Sequence, residues 1–255
     1  IEEKFGFNKT TPKTYILDKL KSYLLLLIIG SLVLSLILYF FERFGGMAWL
    51  YAWVAISGFL VLVQPLFNLV IAPMFNTFNP LEDGELKDKI NQFARQVNFP
   101  ISRIDVMDGS RRSSKANAYF SGFGKEKRIT LFDTLINDLS EDEIVAVLAH
   151  EVGHYKRNHI IVNLVVSLLT TGLTLFVLSL FINHPEISLA IGVSTPSFHA
   201  ALVGFALLYS PISEATGLIM NYLSRKFEFQ ADDFAKNTFA ATPLVSSLKK
   251  LSKKS

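Results

Sequence analysis

His150, Glu151 and His154 stand in the pattern H-E-x-x-H within residues 148–155. Positions four apart on a helix lie one turn above each other on the same face, so both imidazoles reach a single metal ion. Glu151 then projects beside that ion. Neutral imidazoles suit Zn²⁺, whose catalytic sites take three protein ligands and keep one position for water, while a nearby carboxylate removes that water's proton. This is the metalloprotease arrangement, and the cofactor it implies is one Zn²⁺ per chain. Ser140 with Glu143 three residues on forms a capping box, and Ile144, Val147 and Leu148 follow as an apolar stripe, which puts the motif on a helix.

A third ligand must be sought elsewhere, and the chain has no cysteine to offer. Glu228 and Asp232 are four apart on one helical face. Glu228 completes a His₂Glu site. Asp232 either orients a histidine by accepting its other ring N–H or serves as a proton donor. Spacing alone leaves a solvated acidic face, opposite Arg225 and Lys226, as the other reading.

Half of the 255 residues are apolar and only 18% are charged, too few for an ordinary soluble domain of this size. The net charge of +3 is dispersed, without the clustered cations of a nucleic-acid surface, so nucleic acid is excluded as a partner. The absence of cysteine rules out disulfides and thiolate ligands. The expected fold is a mainly α-helical polytopic membrane protein of about four transmembrane helices, with a small α/β zinc-metalloprotease domain.

Residues 1–22 form a polar juxtamembrane lead-in, and two transmembrane helices follow within 23–71. The first spans 23–41; the second runs over 47–71 through Gln64-Pro65, with Trp49 and Trp53 near its start as interfacial anchors. Residues 73–159 form the protease domain: a helix over 83–98, a strand over 101–107, and two more strands over 116–121 and 128–132 in a hairpin signalled by Gly122-Phe123-Gly124-Lys125. That gives a sheet of about three strands behind the H-E-x-x-H helix. Residues 160–223 supply two more spans, over 160–182 and 199–223, and 224–255 form a C-terminal segment bearing Glu228. Glu214, inside the fourth span, is expected to face a protein interior, a water-filled cavity or a neighbouring helix. His159 reads first as an interfacial residue at the membrane boundary and second as a donor to the developing oxyanion, and His184 and His199 read as loop residues.

Six residues separate His154 from the membrane entry at Ile160, about 9 Å along a helix, so the metal should sit close to the bilayer surface. Membrane lipids and a membrane-held peptide or protein substrate are therefore the expected partners.

HEVGH, the E-F-Q-A-D segment, the lead-in FGFNKTTP and the hairpin NAYFSGFGKEKRITLFDTL, in this order, resemble the integral-membrane CAAX prenyl proteases of type 1. The resemblance spans nearly the whole chain. It implies a zinc endopeptidase that trims prenylated C-termini, with ligands His150, His154 and Glu228, general base Glu151, and Asp232 as proton donor or orienting group. It also implies that Asn117, Ala118 and Tyr119 line the substrate strand. Members of that family have further spans before residue 1 and a His- and Arg-bearing segment after the last helix, so the chain reads as a fragment. Two other functions fit parts of the pattern: a bacterial heat-shock-type quality-control protease, and a non-enzymatic membrane scaffold with a structural zinc site, against which the intact Glu151 argues. The expected location is the bacterial inner membrane or the endoplasmic reticulum membrane.

Charge sets the orientation. Of 25 Lys and Arg, five precede the first span, twelve lie in 73–158 and seven follow the fourth span. The positive-inside rule places both ends and the protease domain on the cytosolic side. A cysteine introduced as Ser110→Cys should label from the cytosolic side, and Ser194→Cys only from the other. Labelling of both from one side would break this topology.

Overall fold

The computed structural model describes residues 4, 6–122, 127–195 and 197–253. In chain order the elements are α1 (Pro12–Phe44), α2 (Ala48–Leu66), α3 (Ala72–Phe75), β1 (Phe78–Pro80), α4 (Glu85–Gln96), β2 (Arg103–Met107), β3 (Ala118–Ser121), β4 (Arg128–Phe132), α5 (Asp133–Asp138), α6 (Glu141–Lys156), α7 (His159–Asn183), α8 (Pro185–Ala190), α9 (Phe198–Leu208), α10 (Ser210–Thr238) and α11 (Ala241–Ser252). Two compact units form, one from Ser22–Leu62 and Ile160–Lys226, the other from Ile1–Lys21, Val63–His159 and Phe227–Ser255.

The first unit is helical and apolar. Two helical stretches among the described residues are long and apolar enough to cross a membrane, Pro12–Phe75 and His159–Ile182; α9 and α10 pass the same test only as a pair, bent by 52°. The 64-residue stretch is not one rod. Gly45 takes φ +52°, a left-handed conformation that favours glycine, and a 3₁₀ turn over Gly45–Met47 leads into α2. The chain doubles back there: Phe44 and Tyr51 rings lie 4.7 Å apart, and Lys21 Nζ donates to the Met74 carbonyl at 2.6 Å. A straight helix would hold Lys21 and Met74 about 80 Å apart.

Two expectations change in this unit. Trp53, expected as an interfacial anchor, has its indole turned to a neighbouring helix: its N–H donates to the Leu168 carbonyl at 2.8 Å, and its ring lies against Gly172, where an added Cβ would come within 3.0 Å of the indole nitrogen. A half-buried indole needs a partner for its N–H, and a glycine on the facing helix makes the room. The helix expected over 199–223 is broken at Tyr209. Pro211, which has no N–H to give, follows the break, and α10 then runs unbroken to Thr238, with Glu214 exposed on its surface.

The second unit holds a four-stranded sheet in the order β1-β2-β4-β3. β2 and β4 pair in parallel with Arg103 opposite Arg128, while β1 and β3 pair antiparallel on the outside. The expected strands and hairpin are present, though turn residues 123–126 lie outside the described residues. The fourth strand, β1, escaped the sequence because it is three residues long, ends in proline and occupies a sheet edge. Ile129 and Leu131 of β4 pack with Ile90 and Phe93 of α4, with Ile144, Val145, Leu148, Ala149 and Val152 of α6, and with Ala235 and Leu244 from α10 and α11. Burying each large aliphatic side chain is worth roughly 1.5–3 kcal/mol, enough to hold α6 rigidly against the sheet.

The start of α6 is anchored by one carboxylate. Glu143 accepts the Ser140 backbone N–H at 2.8 Å, completing the capping box. It also accepts from Ser246 Oγ at 2.5 Å and Lys250 Nζ at 2.6 Å, both on α11. Burial alone would raise its pKa, but Lys250, Ser246 and the Ser140 N–H outweigh that and bring it from 4.5 to about 2. A folded-state value below the unfolded one contributes stability above pH 4.5, lost as the pH falls from there toward 2. Glu143→Gln should therefore cost about 1–3 kcal/mol at pH 7, the worth of hydrogen bonds to a charged group. The difference in thermal midpoint from the parent should shrink as the pH falls below 4.5; a difference independent of pH would refute this account of the anchor.

Candidate metal centre

α6 carries His150 and His154 on one face, and α10 brings Glu228 and Asp232 to them. His150 Nε2 and His154 Nε2 lie 3.1 Å apart. Glu228 oxygens stand 3.3 Å from the first and 3.7 Å from the second. The three ligand atoms all fall within 4.8 Å of one another, so the group could hold a metal ion. Two imidazole nitrogens and a carboxylate oxygen converging on one point form the donor set that divalent zinc prefers. Asp232 Oδ1 sits 2.8 Å from His150 Nδ1, on the opposite side of that ring from the convergent point.

Helix packing makes this spacing possible. Gly153 faces Ala231 so closely that a Cβ at Gly153 would lie 3.0 Å from the Ala231 Cα, 3.1 Å from its carbonyl oxygen and 3.1 Å from Phe234 Cβ. His150 and His154 flank Gly153, and Glu228 and Asp232 flank Ala231. The crossing point is thus bracketed by all four side chains.

The site's electrostatics are those of a partly dry pocket. The Glu151 carboxyl is pushed above its ordinary value by burial, with Glu228 adding to the rise and His150 opposing it. His154 is held below the usual imidazole value by burial and by His150 and His159, with Glu228 and Asp232 opposing. A neutral imidazole is the form that ligates metal.

Asn117, Ala118 and Tyr119 lie outside this cluster, at the sheet's edge. The Asn117 carbonyl accepts the Phe132 N–H at 3.0 Å and its side chain accepts the Ala118 N–H at 2.9 Å. Ala118 is buried opposite Leu131, and Tyr119 pairs with Thr130. Among the described residues β3 has a strand neighbour on one side only, so it forms an edge of the sheet.

Sequence reasoning missed two members of the centre. His159, expected at the membrane boundary, is 2% exposed and packed into the cluster, with Nδ1 3.0 Å from His154 Nδ1 and Nε2 2.8 Å from Gln230 Oε1. Gln230 lay between Glu228 and Asp232 and drew no notice. Two signals were present: an Asn-His pair just past the H-E-x-x-H helix, and a third polar residue in the E-F-Q-A-D segment.

A membrane protein with a side-chain group able to hold a metal is the class that fold and site define. Residues 80–253 match the model of peptidase family M48, and residues 1–77 match that of the CAAX prenyl protease N-terminal region with five membrane helices. The chain belongs to peptidase family M48. It is 41% identical to CAAX prenyl protease 1 of Saccharomyces cerevisiae, covering 92% of this chain and 56% of that protein. Against the human CAAX prenyl protease 1 homolog it is 35% identical, covering 99% and 62%. The crystal structure of S. mikatae Ste24p superposes with a TM-score of 0.87 at 39% identity, covering 98% of this chain and 61% of that one. The chain therefore spans about three-fifths of the length of these relatives, and the resemblance to CAAX prenyl proteases read from its motifs is borne out.

The tight crossing yields a test. In Gly153→Ala the new methyl meets backbone that cannot yield, so α6 and α10 must part by a few tenths of an ångström. Overpacking of this kind costs about 1–3 kcal/mol. Both the thermal midpoint and the zinc affinity should fall, and parental values for both would show that the approach is not constraining.

Proposed function

We propose that the chain is the catalytic part of a membrane zinc endopeptidase that cuts peptide bonds in CAAX-type C-termini. The observation that carries this reading is the convergence of His150 Nε2, His154 Nε2 and a Glu228 carboxylate within 4.8 Å, beside the half-buried Glu151. The relatives compared above are CAAX prenyl proteases, and they supply the substrate class. The four-span topology, the cytosolic orientation of the protease domain and a location in the endoplasmic reticulum membrane belong to the same proposal. The charge asymmetry supports the orientation.

His150, His154 and Glu228 would hold the ion. When bound, Zn²⁺ supplies the Lewis acidity that activates water and polarises the scissile carbonyl. The chain's own residues do the rest. Glu151 accepts the proton of the attacking water and returns it to the leaving amine; a carboxyl raised by burial is better matched to both transfers. Asp232 accepts the N–H of His150 Nδ1, which fixes that ring's tautomer and leaves Nε2 bare. The outer edge of β3, at Asn117, Ala118 and Tyr119, pairs with the substrate backbone, giving affinity without demanding a particular sequence.

Glu151→Gln should keep stoichiometric zinc and lose turnover of a farnesylated CAAX peptide, whereas His150→Ala and Glu228→Ala should lose the metal as well. Zinc content by elemental analysis and peptide cleavage by mass spectrometry read both halves. Turnover by Glu151→Gln would end the assignment of the base.

A further inference from the structure

His154 cannot ligate unless its ring is fixed, and Asp232 serves only His150. Metal-bound imidazoles commonly donate their other N–H to a carboxylate, a carbonyl or water. At His154 that position is taken by another imidazole, Nδ1 of His159, at 3.0 Å. We propose that His159 and Gln230 are positioning residues that set the tautomer and orientation of His154 as a metal ligand. The inference rests on the metal-site reading given above.

Two hydrogen-bond relays through these three side chains satisfy every contact. In one, Gln230 Oε1 accepts from His159 Nε2–H at 2.8 Å, His159 Nδ1 is bare and accepts from His154 Nδ1–H, and His154 Nε2 is left with its lone pair toward His150 and Glu228. In the other, every proton is reversed, and His154 Nε2 carries a hydrogen into the convergent point. Only the first relay leaves a ligand. It is also the one in which the glutamine presents its oxygen, as the structure has it.

Backbone and packing hold the relay in place. A helix continued from His154 would carry residue 159 about 140° around the axis, away from the face of His154. Instead Asn158 takes φ +57°, a left-handed conformation that asparagine tolerates better than most residues, and the chain turns so that His159 comes back against His154. The His159 ring then stacks on Phe227, centroids 4.1 Å apart and planes 12° from parallel. Phe227 directly precedes the ligand Glu228, and Gln230 follows two residues later. The segment that supplies the third ligand thus also clamps the group that orients the second.

The test uses the full chain in detergent, with zinc affinity measured at fixed pH by competition with a chromophoric chelator, and the visible spectrum of the Co²⁺-loaded protein as a second readout. His159→Leu keeps the bulk and removes the acceptor; zinc binding should weaken about 10 to 100-fold, the usual cost of losing such a partner, and the Co²⁺ bands should shift. Gln230→Leu frees His159 to carry its proton on Nδ1 and should weaken binding in the same direction. His159→Asn, whose Oδ1 stands where Nδ1 does, should restore most of the affinity and the parental spectrum. Parental zinc affinity and spectrum in both His159→Leu and Gln230→Leu would overturn the inference. So would His159→Asn behaving as poorly as His159→Leu, because the role would then be packing alone. If the parent chain takes up no zinc, the metal-site reading fails first, and this inference with it.

Discussion

Everything chemical in this chain depends on how closely α6 and α10 approach. Side-chain donor atoms 3–4 Å apart on two different helices require backbones nearly in contact, and small residues at the crossing permit that. Gly153 and Ala231 meet with no space for one more methyl group. The packing beneath is correspondingly small: Ala231 and Ala235 on α10 are fully buried, as are Ala146 and Ala149 on α6. Larger side chains would have packed more apolar area, yet would have separated the His150–His154 row from the Glu228–Asp232 row. The core has traded hydrophobic volume at this point for geometry, and the bulky Ile144, Leu148 and Leu135 nearby supply the burial that the crossing lacks.

Much of the centre was legible before any coordinates, because its signals are local. H-E-x-x-H and E-x-x-x-D each place two side chains on one face of a helix by periodicity alone, and Ser140 with Glu143 marks where α6 begins. The helix over 83–98 and the strands over 101–107 and 128–132 appeared where their apolar periods put them, trimmed at the ends. What stayed hidden were contacts between residues distant in sequence and backbone turns with no periodic signature. Gly153 looks like a mild helix weakener until Ala231 is set against it. His159 looks like a boundary residue as long as the helix is assumed to run straight, and the left-handed turn at Asn158 is what reverses that. Trp53 was misplaced for a similar reason. A tryptophan near the start of an apolar stretch suits an interface, and the sequence carries no sign of the carbonyl and the glycine on the facing helix that its indole meets.

Proton bookkeeping adds a constraint that composition cannot show. Three histidines lie in sequence at the centre, ring nitrogen facing ring nitrogen, and each contact has room for one hydrogen only. The two ends of that row, Asp232 and the Gln230 oxygen, are both acceptors from α10. Acceptors at both ends force the hydrogens outward and leave the lone pairs pointing inward, which is what a cation needs to find. On the reading proposed above, the segment 228–232 contributes more than the Glu228 carboxylate: it also sets the protonation pattern of the other helix.

Chain order gives the anchor of α6 a further meaning. Glu143 is buried on folding, yet Lys250, which neutralises it, is made 107 residues later. Asp232 follows His150 by 82 residues. At synthesis rates of roughly 5–20 residues per second, Lys250 follows Glu143 by about 5 to 20 seconds, so the residues of α6 precede the groups that compensate Glu143 and orient His150 by an interval of that order. During that interval the apolar face of α6 can already rest on the sheet, but its polar partners from α10 and α11 are still to come.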